Sequence, residues 1–197
     1  MADDVPPVGV PPSVPSDEAS AHVLDEAERH FLRDGYAGTR LAAVADGLGI
    51  RTASLYHHAP GGKRHLWERV VARALARHRD GLRAAAASAE GLREQLVAMA
   101  RWQLSQPAVH VVAVVARDDG MAEALYNALM LPVADVLRAA QARGEARRDV
   151  APDLFAGVFA SSVDGLRAAE RDGALPAPAG DLARAVVHLL VDGAGTR

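Results

Sequence analysis

The side chains best suited to chemistry in this sequence lie in one short segment, residues 51–57. Arg51, Thr52 and Ser54 can donate hydrogen bonds to phosphate oxygens or to base edges, and Tyr56 and His57 follow within the next turn. No grouping elsewhere suits catalysis, because the sequence shows no nucleophile–base pairing, no glycine-rich phosphate loop and no carboxylate–histidine cluster at metal spacing. The pattern predicts a protein that binds nucleic acid, is not an enzyme and uses no metal or cofactor.

Two short helices joined by a tight turn are predicted to position this segment. Thr39 is the predicted N-cap of the first helix, which has a buried stripe at helical spacing formed by Leu41, Val44, Ala45 and Leu48. Gly49 supplies the turn, because glycine accepts a positive φ at little cost. A second helix that starts near Arg51 would then lie in the major groove of DNA, with Leu55 in the core.

Charge is distributed unevenly along the chain. The net charge of the 197 residues is −3, yet residues 51–79 hold seven Lys or Arg against one acid, Glu68, and four of the eight histidines. On a lone helix such a run would indicate only a solvated face. Next to a helix-turn-helix it favours double-stranded DNA as the partner.

Composition favours an all-helical protein. Half of the residues are apolar but only 4% are aromatic, so Ala, Val and Leu must form the core, and alanine-rich amphipathic stretches favour helices. The sequence has no cysteine, no apolar run long enough to cross a membrane and no signal-peptide layout. We therefore expect a cytoplasmic protein.

Periodicity predicts about nine helices in two domains after a tail. Residues 1–15 are rich in proline and are predicted to be disordered, residues 16–62 to form the helix-turn-helix domain, and residues 63–197 to form a helical regulatory domain. The apolar residues 109–116 are interpreted as helix, although a buried strand also fits their period. Pro132 is expected either to kink or to split the helix that runs from about Met121 to Arg143.

The stretch from Phe31 to Trp67 resembles the N-terminal domain of the TetR family of bacterial transcriptional regulators. The matching residues are Phe31, Gly35-Tyr36, Thr39, Val44-Ala45, Gly49-Ile50, Leu55-Tyr56-His57-His58, Lys63 and Leu66. The resemblance implies a dimeric, all-helical repressor whose first three helices bind DNA and whose last two form the dimer. It also implies that a ligand in the later helices changes the separation of the recognition helices and so releases the operator.

Three features depart from the family pattern. Ala59 stands where phenylalanine is usual, and the turn Pro60-Gly61-Gly62 is one residue longer than is common. Arg51 occupies a position usually held by a small capping residue, which makes Thr52 an alternative cap. These departures leave open where the recognition helix starts and how the fourth helix is tilted.

The predicted DNA contacts combine base readout with phosphate binding. Arg51 could reach guanine or a phosphate, since arginine to guanine is the commonest specific contact. Tyr56 and His57 resemble the family's backbone-contacting pair, and Lys63, the only lysine, would contact phosphate at the start of the fourth helix. The full predicted set is Thr39, Arg40, Arg51, Thr52, Ala53, Ser54, Tyr56, His57 and Lys63.

The ligand pocket and the dimer interface are predicted from the later helices. A pocket for a small hydrophobic effector is assigned to Met99, Trp102, His110, Met121, Tyr126, Asn127 and Met130, with a filled core as the alternative. The homodimer interface is assigned to Phe155, Val158, Phe159, Ser162, Leu166, Val186, Leu189 and Leu190. A two-fold dimer would place its recognition helices about 34–36 Å apart, one turn of DNA, and would bind a palindromic operator.

Two other classes of protein compete with a ligand-responsive repressor. One is a helical small-molecule-binding protein or enzyme with an incidental helix-turn-helix. The other is an architectural DNA-binding protein without a ligand, which the long helical body disfavours.

Overall fold

The computed structural model describes residues 18–106 and 122–194, and its regular structure is entirely helical. The described helices are α1 (Glu18–Gly38), α2 (Leu41–Gly47), α3 (Thr52–His58), α4 (Gly62–Ala87), α5 (Gly91–Leu104), α6 (Ala122–Leu125, Tyr126–Met130 and Leu131–Arg143), α7 (Pro152–Arg171) and α8 (Ala179–Ala194). The all-α prediction is confirmed, with eight helices in these ranges. None of these helices has the length and apolar character needed to cross a membrane.

Some predictions fall outside the described ranges. They are the disordered tail at residues 1–15, the helix assigned to residues 109–116, and the pocket residues His110 and Met121.

The chain divides into two compact units, and one boundary between them falls inside α4, between Ala76 and Arg77. The predicted boundary at residue 62 is earlier than this division. The difference arises because the first half of α4 contributes buried side chains, among them Leu66, Val70 and Ala74, to the N-terminal unit. The helix therefore contains residues of both units.

The core of the N-terminal unit is small and apolar, with one aromatic cluster. Phe31 packs edge-on against Trp67 at 5.0 Å between ring centroids, and Tyr36 lies 5.8 Å from Trp67. The helical conformation of α1 is interrupted at Gly35, where φ is 68°. This break allows Tyr36 to stack on Phe31.

Arg73 joins α4 to α1 within the N-terminal unit. Its guanidinium forms ion pairs with Asp25 and Glu28, each at 2.8 Å, and donates to the Ala21 carbonyl at 3.1 Å. Because the Arg73 and Glu28 side chains are mostly buried, water screens this pair less than it would a surface pair. The pairing fixes the first half of α4 against α1.

The C-terminal unit is built by α5, α6, α7 and α8, which pack on one another around an alanine-, valine- and leucine-rich core. Phe155 and Phe159 are buried among these residues. At the surface, Arg184 of α8 forms a two-point ion pair with Glu94 of α5, with distances of 2.6 and 2.9 Å. These contacts make α5 and α8 neighbours.

Pro132 neither splits α6 nor ends it. A π-helical turn, Tyr126–Met130, comes directly before the segment that contains Pro132 at its start. A wider turn of this kind can accommodate proline, which has no N–H to donate and whose ring needs space from the preceding turn. The helix therefore continues to Arg143, as predicted.

Candidate nucleic-acid interface

The turn between α2 and α3 has the predicted geometry. Gly49 adopts φ of 68°, and the amide of Ile50 donates to the carbonyl of Ala45 at 3.0 Å. Val44 and Ala45 on α2 and Leu55 on α3 are fully buried, so the two helices share a core with α1. The helix-turn-helix is thus positioned by buried apolar contacts, which leaves the rest of α3 free to face outward.

The outer face of α3 presents most of the predicted contact residues. Arg51, Ala53, Ser54 and His57 are exposed, and Thr52 is partly buried. Tyr56 is 49% exposed, which is unusual for a large aromatic side chain. This face carries hydrogen-bond donors and an aromatic ring, which are suited to contacts with the DNA backbone and with base edges.

The N-cap of α2 differs from prediction, and the structure decides between the two caps that the sequence left open for α3. The N-cap of α2 is Arg40, not Thr39, and the N-cap of α3 is Arg51, so Thr52 is not the cap. Thr39 is buried, and its hydroxyl donates to the Gly35 carbonyl at 2.7 Å. Its side chain therefore holds the turn after α1 and does not cap α2.

The two N-cap arginines are exposed and have no side-chain partner among the described residues. Neither the side chain of Arg40 nor that of Arg51 caps its helix, and neither forms an ion pair or hydrogen bond within those ranges. In contrast, Arg64 pairs with Glu68, and Arg73 with Asp25 and Glu28. Much of the positive charge predicted from the sequence is thus compensated within the unit, whereas these two cations remain available.

Lys63 has a structural contact of its own. Its Nζ donates to the Ala37 carbonyl at 3.0 Å and lies 4.7 Å from the centre of the Tyr36 ring. Partial burial lowers its pKa. The ammonium group has three donors, so a phosphate contact remains a prediction for this residue.

The role of Arg69 is not visible in the sequence pattern. Its guanidinium is buried, and Nη1 donates to the His58 carbonyl, the last residue of α3, at 2.5 Å. The contact satisfies a helix-end carbonyl that has no partner within α3. Periodicity could not reveal it, because the bond joins residues eleven positions apart across a turn.

Residues 23–70 match the family model described as bacterial regulatory proteins, tetR family. This N-terminal domain belongs to the TetR family. The whole described fold is also similar to solved TetR-type structures. A TetR-family transcriptional regulator from Pectobacterium atrosepticum is 22% identical, with 91% of this chain and 95% of that chain covered and a TM-score of 0.67.

Two further structures share the fold. The ketosteroid transcriptional regulator KstR2 of Mycobacterium tuberculosis is 20% identical over 93% of this chain and 98% of that chain, with a TM-score of 0.62. The fatty acid degradation regulator FadR from Bacillus halodurans is 15% identical over 90% and 96%, with a TM-score of 0.72. No curated protein matches the sequence. The TetR domain and fold together support a DNA-binding transcriptional regulator.

Three of the predicted pocket residues lie in one cluster, because Met99 is part of the C-terminal core and Trp102 and Met130 pack against that core. Met99 is fully buried and Trp102 partly buried, but Asn127 is exposed. The Tyr126 hydroxyl donates to Asp153 at 2.6 Å in an exposed cluster. A groove of about 260 Å³ lies elsewhere in the C-terminal unit, and none of the predicted residues lines it: its walls are Arg83, Ala86, Gln95, Pro132, Asp135, Val136, Ala139 and Arg143.

The predicted dimer residues fall into two groups. Phe155, Phe159 and Leu166 are buried in the core of their own chain, so their assignment to an intermolecular surface is corrected. Val158 and Leu189 are 44% and 76% exposed. The remaining three, Ser162, Val186 and Leu190, are partly buried.

Proposed function

We propose that this TetR-type chain is a dimeric repressor that binds a palindromic operator and releases it when a small apolar effector binds. The observation that carries the DNA-binding part is the pair of exposed arginines, Arg40 and Arg51, which have no partner in the described ranges and stand at the starts of both helices of the helix-turn-helix. Each would contact DNA, Arg51 at a base edge or phosphate and Arg40 at a phosphate.

Arginine at these positions is unfavourable for the isolated protein. A helix start repels cations by about 0.3–1 kcal/mol and prefers Ser, Thr, Asp or Asn as its cap. An anion placed beside Arg40 and Arg51 removes this disadvantage, and a DNA backbone provides a row of anions. Two such arginines at adjacent helix starts therefore support a DNA-facing surface.

A dimer is supported by exposed apolar side chains on α7 and α8. Four large hydrophobic side chains are exposed within the described ranges, and three of them, Leu154, Val158 and Leu189, lie on these two helices. The exposed Ser161 and Gly165 extend the row on α7. Small side chains permit close helix approach, and large apolar ones favour burial, so this surface is suited to a second copy.

The effector part rests on the relatives and on the helical body. KstR2 is described as a ketosteroid transcriptional regulator and FadR as a fatty acid degradation regulator, so both names refer to largely apolar small molecules. We extend this class of ligand to the present chain. Repression, rather than activation, is proposed because the resemblance of residues 23–70 to the TetR family implies a repressor.

Selection of bound sites from a random DNA duplex library at fixed salt tests the proposal. We expect a palindromic motif with half-sites about one DNA turn apart. The Arg51→Ala variant should relax the preference at one base pair, whereas Arg143→Ala, an exposed arginine in the C-terminal unit, should leave the motif unchanged. A folded protein that enriches no motif would contradict the proposal and favour a small-molecule-binding protein with an incidental helix-turn-helix.

A further inference from the structure

A buried histidine in the C-terminal unit has no hydrogen-bond partner among the described residues. His78, on the second half of α4, is 3% exposed, and neither of its ring nitrogens forms a hydrogen bond there. Buried polar atoms are nearly always satisfied, so an unsatisfied one indicates a missing partner such as a ligand, an ion or a water. A neutral imidazole offers one donor and one acceptor.

Trp102 of α5 forms an apolar wall beside this histidine. The two rings meet edge to face with centroids 5.0 Å apart. The indole also packs onto Gly81, where an added Cβ would lie 1.9 Å from a ring atom, so only glycine fits at this position. Met99, one turn earlier on α5, is fully buried. The surroundings of His78 are therefore apolar on the α5 side.

Arg167 of α7 brings a positive charge to the same place. Its Nη2 donates to the Gln103 carbonyl and its Nη1 to the Leu104 carbonyl at 3.5 Å, while its buried Nε has no partner in the described part of the chain. Burial lowers the pKa of Arg167. The nearby negative charges of Asp164 and Glu170 raise it, but by less than burial lowers it. Burial and, second, the charge of Arg167 lower the pKa of His78 to about 4, so the guanidinium acts electrostatically on the imidazole.

We propose that His78 and Arg167 bind the carboxylate of an amphipathic effector, with Trp102 against its apolar part. Nη1 and Nη2 of Arg167 each donate to one carbonyl, and the unpartnered Nε and one ring nitrogen of His78 supply two further donors for the two carboxylate oxygens. A carboxylate would both satisfy these buried donors and balance the guanidinium charge. This inference rests on the proposed function, because it names the chemical class of the effector.

Binding of matched acids and alcohols tests the inference. We would titrate the full chain with octanoate and decanoate and with octanol and decanol, by calorimetry and by Trp102 fluorescence in a Trp67→Phe background. The acids should bind at least about tenfold more tightly than the alcohols of equal length. His78→Phe should remove most of this difference and still fold, because it deletes unsatisfied polar atoms and keeps a ring.

Two controls make the result specific. Arg167→Met should also remove the preference for acids, whereas Arg171→Met, an exposed arginine on the same helix, should not. Equal binding of acids and alcohols, or an acid preference that survives His78→Phe, would overturn the inference. The site-selection experiment is separate: a palindromic motif without carboxylate binding would sink only this inference, and the absence of any motif would sink the proposed function.

Discussion

Among individual residues, the informative positions are those where a side chain conflicts with its local surroundings. Arg40 and Arg51 stand at helix starts that favour acidic or small polar caps. His78 is buried, and its ring nitrogens have no partner within the described ranges. Such local conflicts lower stability and are expected where a binding partner compensates for them.

Replacing Arg51 should separate stability from DNA binding. Arg51→Asn supplies a side-chain cap for α3, so we expect the free energy of unfolding to rise by about 1 kcal/mol. The same change removes a long cation, so preference at one base pair should relax by about 1–3 kcal/mol. Urea unfolding and competition binding measure the two effects.

Arg40→Asn is the matched comparison. It should also stabilise the domain, but it should weaken binding to all sequences and lower the salt slope by about one, as expected for a phosphate contact. If both variants gain stability and bind DNA as the wild type does, the two arginines do not face DNA.

His78 should make stability depend on pH. Its pKa is 6.5 as a free side chain and about 4 in the fold, so the unfolded chain binds the proton more readily between these values. The contribution of neutral His78 to the free energy of unfolding should therefore be fully present above about pH 6.5. It should fall by up to about 3 kcal/mol as the pH drops towards 4. Urea unfolding at several pH values measures this loss.

His78→Phe should abolish this part of the pH dependence, because phenylalanine does not titrate. His22→Phe removes a histidine at an exposed position of α1 and should keep the wild-type profile. A profile that is the same in wild type and His78→Phe would show that His78 does not titrate as its burial requires.

Among the helices, α4 contributes a long segment to each of the two units. Its first half carries Leu66, Trp67, Arg69 and Arg73, which pack against or bond to α1 and α3. Its second half carries His78, next to Trp102 of α5. One helix thus holds both a contact to the recognition helix and a contact to the proposed effector site.

The Arg73 ion pairs should be worth more than a surface pair. Arg73→Met removes the ion pair that Arg73 forms with the mostly buried Glu28, so we expect a loss of about 1–3 kcal/mol in the free energy of unfolding. Arg79→Met breaks an exposed pair with the adjacent Asp80 and should change stability by less than about 0.5 kcal/mol. Equal effects would mean that the α1–α4 pairing adds nothing beyond surface charge.

Across the whole molecule, the exposed hydrophobic side chains mark two surfaces. Tyr56 lies on the recognition helix, and Leu154, Val158 and Leu189 lie on α7 and α8. The other large apolar side chains of the described ranges are buried or partly buried. On these two surfaces, therefore, large apolar side chains of the described residues are accessible to a binding partner.

A charge on the α7–α8 surface should prevent dimerisation. Val158→Glu should give a folded monomer, because Val158 is exposed and its replacement disturbs no core contact, and operator affinity should fall by at least about tenfold. Light scattering and DNA binding measure the two outcomes. Ala142→Glu, at an exposed position of α6, should remain dimeric. A dimeric Val158→Glu protein would place the interface elsewhere.

Features that depend on neighbours along the chain follow from the amino-acid sequence. The turn at Gly49, the burial of Val44, Ala45 and Leu55, and the end of α6 at Arg143 all result from glycine conformation and from helical period. The residue types and spacing from Phe31 to Trp67 also suffice to identify the TetR domain. These features are local, so local patterns predict them.

Long-range packing, in contrast, determines which faces are covered. On α7 the apolar row of Phe155 and Phe159 lies beside the apolar row of Leu154 and Val158, yet the two phenylalanines are buried in the core and Leu154 and Val158 are exposed. The burial of Thr39 and the surroundings of His78 likewise depend on residues distant in sequence. Helical period fixes which side chains share a face, but only the packed neighbours fix what that face meets.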